Sequence, residues 1–435
     1  MGEGGRRLAE KIKGRWPGRA EVAAGLTLAL TLSATLVMVP QLLFQAGMDF
    51  TAAYTACVLL SVLGTAWLAY RGLPFIAVPS VSIAVWLVYL VIISRGFAWQ
   101  QVLGLAACVS LSGAVLFASP WGGRLLAALP QPVRWALMPA LGLMLILLGL
   151  TQGRIIVASP WSVTMLGDFQ DPLAYFSLSG ILLGALLLAM RVRGALAWSC
   201  FLTAALAFLE GFWVIPPAPV LLPEGLWKTA GQLTLMGAAV ELKPAEYIGT
   251  GLALLLAVSS QSAAVLTGMQ AGAEQRVLRN LSSLSLGGAL LGCLPLTVSP
   301  LSAVIPALGG RRGQVAAVVA AVLVVLLFFE PVVKELATFP ALAVPVLVLA
   351  GVKLLKDGLA GLPWRDLGAV PAEEFLPAAC VLVLLPLSWN ITAGLGAGVA
   401  AWSLLMAAAG RGAEVPHLTR LLALFFIAYF LLGDI

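Results

Sequence analysis

Long apolar runs, separated by short polar breaks, follow one another from Ala20 to Ala409. Neither the two-residue alternation of a half-buried strand nor the single apolar stripe of a surface helix organises them. A helix needs about 20 apolar residues to cross the hydrocarbon of a bilayer. Fourteen such spans are predicted, over 20–46, 51–70, 73–94, 98–118, 133–152, 173–190, 195–214, 246–271, 280–297, 299–310, 313–330, 338–355, 373–389 and 391–409. A further apolar stretch, 418–432, is short for a tilted span; it fits either the membrane interface or a place beside the bundle. The pattern predicts an all-α polytopic membrane protein, with short β strands only in spans 3 and 10.

Those two spans are interrupted in the same way. The third runs Phe75-Ile76-Ala77-Val78-Pro79-Ser80-Val81-Ser82, and the tenth runs Pro295-Leu296-Thr297-Val298-Ser299-Pro300-Leu301-Ser302. Each opens extended and β-branched, meets a proline followed within three residues by serine, and continues as an apolar helix. A proline is tolerated where a helix starts because its missing N–H is an orphan there in any case. Pro79 and Pro300 are 221 residues apart, close to the 226 that separate the starts of spans 1 and 8. A seven-plus-seven repeat follows, and an odd repeat unit inverts its copy in the membrane. Two half-helices would then approach the midplane with their N-termini facing, offering unpaired N–H groups and partial positive charge to a carbonyl or an anion. The plainer alternative is a pair of proline kinks eased by serine.

Charge sets the orientation. Loops rich in Lys and Arg stay in the cytoplasm, and with the N-terminus inside only Arg95, Arg154, Lys228, Lys243 and Lys334, five of 25 basic residues, fall outside. Both termini are therefore expected inside, with 1–19 as a basic cytoplasmic tail resting near anionic lipid. The net charge of +6 is explained by topology and calls for no nucleic acid. Composition agrees: 61% of residues are hydrophobic and 10% charged, against about 25% charged in soluble domains.

Candidate chemistry is sparse. Cys57, Cys108, Cys200, Cys293 and Cys380 stand singly inside apolar spans and read as small buried hydrophobes, and the one histidine, His417, lies in a loop. No metal site or cofactor is expected, and no His-based nucleophile can be assembled. Glu210 and Glu330 lie near span ends, where an acid can reach the interface, the second beside Lys334.

Several runs resemble the nucleobase/cation symporters, in particular the azaguanine-resistance-like hypoxanthine/guanine (xanthine/uracil) permease branch. They are Glu21-Val22-Ala23-Ala24-Gly25-Leu26-Thr27, Ala46-Gly47-Met48-Asp49, Ile156 to Pro160 with Leu166-Gly167-Asp168, Gly309-Gly310-Arg311-Arg312-Gly313 and Leu385-Pro386-Leu387-Ser388. The resemblance implies a uracil-permease-like fold: a core of 20–118 and 246–330, a gate of 133–214 and 338–409, and a short C-terminal apolar helix over 418–432. It also implies elevator-like movement of core against gate, a homodimer, and a bacterial-type inner membrane.

The chain departs from that branch at its acidic positions. Gln261 stands where an Asp is expected in span 8, Leu301 where a Glu precedes Ser302, and Ala393 where an Asp precedes Gly394. An amide offers one carbonyl and two N–H donors but does not titrate.

The expected substrate site comprises Gln261 with Ser259, Ser260 and Ser262, and Ser80, Val81, Ser82, Ser299, Leu301 and Ser302 at the two interrupted spans. The serines either serve a ligand or bond back to the preceding turn. The reading is a secondary transporter of a small polar solute, a purine-type permease. The alternatives are a small-anion carrier or uniporter without carboxylate-based proton coupling, and a non-transporting membrane partner subunit. An intramembrane enzyme lacks the groups it would need.

Overall fold

The computed structural model describes residues 17–432, apart from 163, 193–194, 213–215, 217, 224, 236–243, 270–271, 307, 309–311, 363–369 and 389. Most of the basic tail and the run Gly309-Gly310-Arg311 therefore lie outside the described residues.

Seven of the described helices are long and apolar enough to cross a membrane. They are α1 (Arg19–Gln45), α2 (Phe50–Tyr70), α4 (Trp99–Ala118), α6 (Gln131–Gln152), α7 (Pro172–Ala189), α9 (Pro244–Gly268) and α15 (Ile391–Ala408). Shorter helices complete the bundle: α3 (Val81–Ser94), α5 (Pro120–Ala127), α8 (Ala195–Leu209), α10 (Glu274–Leu291), α11 (Arg312–Leu326), α12 (Glu330–Thr338), α13 (Val344–Ala360), α14 (Ala372–Leu387) and α16 (His417–Leu432). Large apolar side chains such as Leu182, Leu186, Phe201 and Leu209 point outward, as they do where lipid is the solvent. The chain is an integral membrane protein.

The two halves meet at the expected interruptions. Strand β1 (Ala77–Pro79) pairs antiparallel with β4 (Leu296–Val298), in the register Ala77 with Val298 and Pro79 with Leu296. Two strands leave edges that in an apolar interior must find donors and acceptors, and hydroxyls on the surrounding helices supply them. Thr65 of α2 accepts from Ala77 N at 3.1 Å, and Ser285 of α10 accepts from Leu296 N at 2.8 Å. Gly64 lets the strands pass close: a Cβ there would meet Leu296 Cδ1 at 2.7 Å and Ala77 Cβ at 2.9 Å. Elsewhere α6 crosses α13 through Gly142 and Gly351; a Cβ on Gly351 would meet the Gly142 carbonyl at 2.7 Å. Such small residues let membrane helices pack backbone to backbone.

Several expectations are corrected. The ninth span opens at Glu274 rather than 280, because Val277, Leu278 and Leu281 bury one face of a turn whose other face is polar. It ends at Leu291, where Gly292 takes the left-handed conformation at φ 94°, and β4 begins at Leu296. In the tenth span, the apolar helix expected over 299–310 is a five-residue 3₁₀ turn, Pro300–Val304. The prolines are also not equivalent. Pro300 follows the capping serine, whereas Pro79 ends β1 and precedes it. Residues 330–338 form the amphipathic helix α12, so the twelfth span begins at Val344. Neither α5 nor the hairpin of β2 (Ile156–Ala158) and β3 (Thr164–Leu166) was legible in the apolar pattern.

Among the cysteines, Cys108 is exposed and Cys380 half-buried, so the reading as buried hydrophobes holds only for Cys57, Cys200 and Cys293. His417 does not lie in a loop but opens α16. This helix packs beside α15, with the Thr419 hydroxyl donating to Ala128 O at 2.8 Å.

Candidate functional site

A cavity of about 360 Å³ lies where β1, β4 and the turns after them meet α1, α6, α9 and the start of α15. Its walls are mainly apolar, with Val78, Val81, Met144, Leu145, Leu148 and Ile391 among them. Ser80, Val81, Ser82, Ser299, Leu301 and Gln261, six of the expected residues, line it together.

Gln261 is 4% exposed. Its Nε2 donates to Ser82 Oγ at 3.0 Å, and Ser82 Oγ lies 3.0 Å from Ser80 Oγ. The Gln261 carbonyl oxygen is buried without a partner. An amide thus tied at its nitrogen presents an acceptor whose desolvation, about 1–3 kcal/mol, is not recovered until a donor arrives. Ser80 precedes α3 without a capping side-chain bond. Ser299 is spent on its own turn, accepting from Leu301 N at 3.3 Å.

Of the other four expected residues, three hold the framework. Ser262 accepts from Val298 N at 3.2 Å and Ser302 from Ile76 N at 3.0 Å, so both complete strand hydrogen bonding. Ser260 lies 2.9 Å from Thr392 Oγ1, tying α9 to α15. Ser259 does not line the cavity. Of the acids, Glu210 follows α8 and is exposed, and Glu330 accepts from the Thr51 hydroxyl at 3.0 Å. Lys334 does not pair with Glu330 but stands 5.0 Å above the Phe50 ring.

Sequence reasoning missed Gln152, Asn390 and Thr392, which also line the cavity. Gln152 ends α6, where a polar residue reads as interfacial. The turn that follows it is fixed by Arg154 at φ 51° and by the Arg154–Asp171 ion pair of 3.0 Å. Asn390 accepts from Ala393 N at 3.1 Å and so caps α15 at the cavity wall. None of the described lining residues carries an ionisable side chain. A wider depression of about 580 Å³ is bordered by Arg134, Arg276 and Arg279, basic residues that the sequence assigns to the inner face.

This fold, with a mainly apolar cavity where two interrupted segments cross, is shared with a membrane-transporter domain. The chain superposes on the transmembrane domain of the cyanobacterium bicarbonate transporter BicA with a TM-score of 0.53, at 14% identity, over 88% of this chain and 97% of that one. No protein-family model matches. In sequence it is 26% identical to the guanine/hypoxanthine permease PbuO of Bacillus subtilis (strain 168), over 95% of this chain and 98% of that protein. It is 25% identical to the adenine permease AdeP of Escherichia coli (strain K12), over 94% and 92%. These relatives are permeases rather than enzymes, and the chain is similar to them along nearly its whole length.

Proposed function

We propose that the chain is a secondary transporter of a nucleobase, a purine in the first instance, working by elevator-like alternating access. The observation that carries this reading is the buried, unpartnered Gln261 carbonyl at the crossing of β1 and β4, inside a cavity of apolar walls. A flat heterocycle has apolar faces for such walls and N–H groups at its rim for such an acceptor. Full-length similarity to permeases named for guanine, hypoxanthine and adenine supports the same reading.

The finer architecture belongs to the proposal. Fourteen segments form a seven-plus-seven inverted repeat. Residues 20–118 and 246–330 are the moving core, and 133–214 and 338–409 are the gate. The cavity, with Gln261 on α9 of the core and Gln152 on α6 of the gate, lies where such units would meet. Both termini face the cytoplasm of a bacterial-type inner membrane, with the basic tail 1–19 against anionic lipid. A homodimer would cover part of the exposed apolar surface of α7 and α8.

A second reading, a small-anion carrier or uniporter, draws support from the missing carboxylates at Gln261, Leu301 and Ala393. It is weakened by the lack of a cationic side chain among the described lining residues.

The test is a thermal-shift screen of the purified protein against purines, pyrimidines and small oxyanions, repeated with Gln261→Ala. A ligand that binds only the folded state stabilises it by about 2.7 kcal/mol at a hundredfold excess over Kd. A purine shift that disappears in the variant upholds the nucleobase reading. A shift with an oxyanion alone transfers the site to the second reading.

A further inference from the structure

Gln152 and Gln261 lie on different helices, α6 and α9, which pack together, and both line the one cavity. Each amide is tied at its nitrogen. Gln261 Nε2 donates to Ser82 Oγ at 3.0 Å, and Gln152 Nε2 donates to Met38 Sδ at 3.6 Å. Each leaves its carbonyl oxygen buried with no partner. An orphaned buried acceptor destabilises the empty protein, so two at one site point to a ligand that satisfies them. Carbonyl oxygens attract donors and repel negative charge, and no cationic side chain among the described lining residues offsets that repulsion.

We infer that Gln152 is a second specificity-determining residue of this site: with Gln261 it offers two acceptors to two N–H donors of one uncharged solute. The inference rests on the transport reading above and adds to it a named residue and the charge state of the cargo. Because the two acceptors sit on different helices, movement of α6 against α9 would make and break the Gln152 contact during transport. Gln152 thus selects the solute in the state in which the cavity is closed around it.

Four full-length proteins, wild type, Gln152→Met, Gln152→Glu and Gln261→Ala, test this by equilibrium binding of hypoxanthine, its singly N-methylated analogues and sulfate, with melting curves of the empty proteins alongside. Methionine keeps the length and removes the acceptor, so hypoxanthine affinity falls about tenfold, the worth of one buried hydrogen bond. The empty protein melts at a higher temperature because an orphaned acceptor is gone; a merely structural Gln152 would move the melting point the other way. Glutamate retains an acceptor and restores hypoxanthine binding. One methylated analogue, having lost the donor that meets Gln152, binds wild type weakly and is no worse in Gln152→Met than hypoxanthine is.

Unchanged hypoxanthine affinity in both variants, with binding still lost in Gln261→Ala, overturns the inference and leaves the transport reading intact. Binding of sulfate with no binding of any N–H donor overturns both.

Discussion

The two crossovers at the centre of the molecule start alike and end differently. In the first half β1 passes through Ser80 into α3; in the second β4 passes through Ser299 into a 3₁₀ turn of five residues. The second is closed on itself, since Ser299 caps its own turn and Ser302 reaches across to Ile76 N. The first stays open: Ser80 caps nothing with its side chain, and its hydroxyl joins the chain that runs through Ser82 to Gln261. Repeated sequence places both crossovers at one level but does not give them one use. The first crossover presents hydroxyls to the cavity and to Gln261, and the second supports the strand segment beside them.

The largest expected effect comes from forcing the crossing apart. Gly64→Leu drives a side chain into Leu296 and Ala77 and should cost about 3 kcal/mol or more, read as a fall in melting temperature or in monodisperse yield. Leucine at Gly249, where a Cβ would meet nothing within 4 Å, should leave both unchanged.

Next come the hydroxyls that serve the strands. Thr65→Val and Ser285→Ala each orphan a buried strand N–H and should cost about 2 kcal/mol apiece. Equal losses would support the proposed repeat, in which α2 and α10 occupy corresponding places; a large difference between them would count against it.

The serines separate support from binding. Ser299→Ala removes a cap and should cost about 1 kcal/mol. Ser80→Ala should shift the empty protein by only a few tenths while weakening hypoxanthine binding. Melting curves with and without hypoxanthine distinguish the two, and reversed outcomes would exchange the roles assigned to the two crossovers.

The smallest effect is electrostatic. Asp49 caps α2 through Ala52 N and pairs with Lys228 at 2.9 Å, and that ammonium holds its carboxyl below the ordinary value of 3.8. A carboxyl lowered on folding stabilises the protein above its ordinary pKa, and the contribution is lost as pH falls through the lowered value. The exposed pair contributes at most about 1 kcal/mol. Lys228→Ala should therefore lower the melting temperature slightly at pH 7, and by progressively less as the pH falls through the lowered value.

Much of this was legible beforehand because it is local. An apolar run long enough to span a bilayer marks itself, and β-branched residues before a proline and a serine mark an extended interruption. Boundaries failed where amphipathic turns joined apolar ones, as at Glu274 and Glu330, since an apolar window discards the polar face of a helix that is buried on its other face. The site divided along similar lines. Gln261 was conspicuous as an amide within an apolar span, whereas Gln152, at the end of α6, resembled any interfacial residue.

The sequence by itself determined that the chain lives in a membrane, and that two interrupted segments and a carboxylate-free polar cluster stand out within it. These follow from composition and spacing along one chain. Only the tertiary structure decided that Ser262 and Ser302 hold strands, that Ser80 and Ser82 serve the cavity, and that Gln152 joins Gln261 there. A hydroxyl or an amide takes whichever donor or acceptor the fold brings within about 3 Å, and for these residues most such partners come from the other half of the chain or from a distant helix.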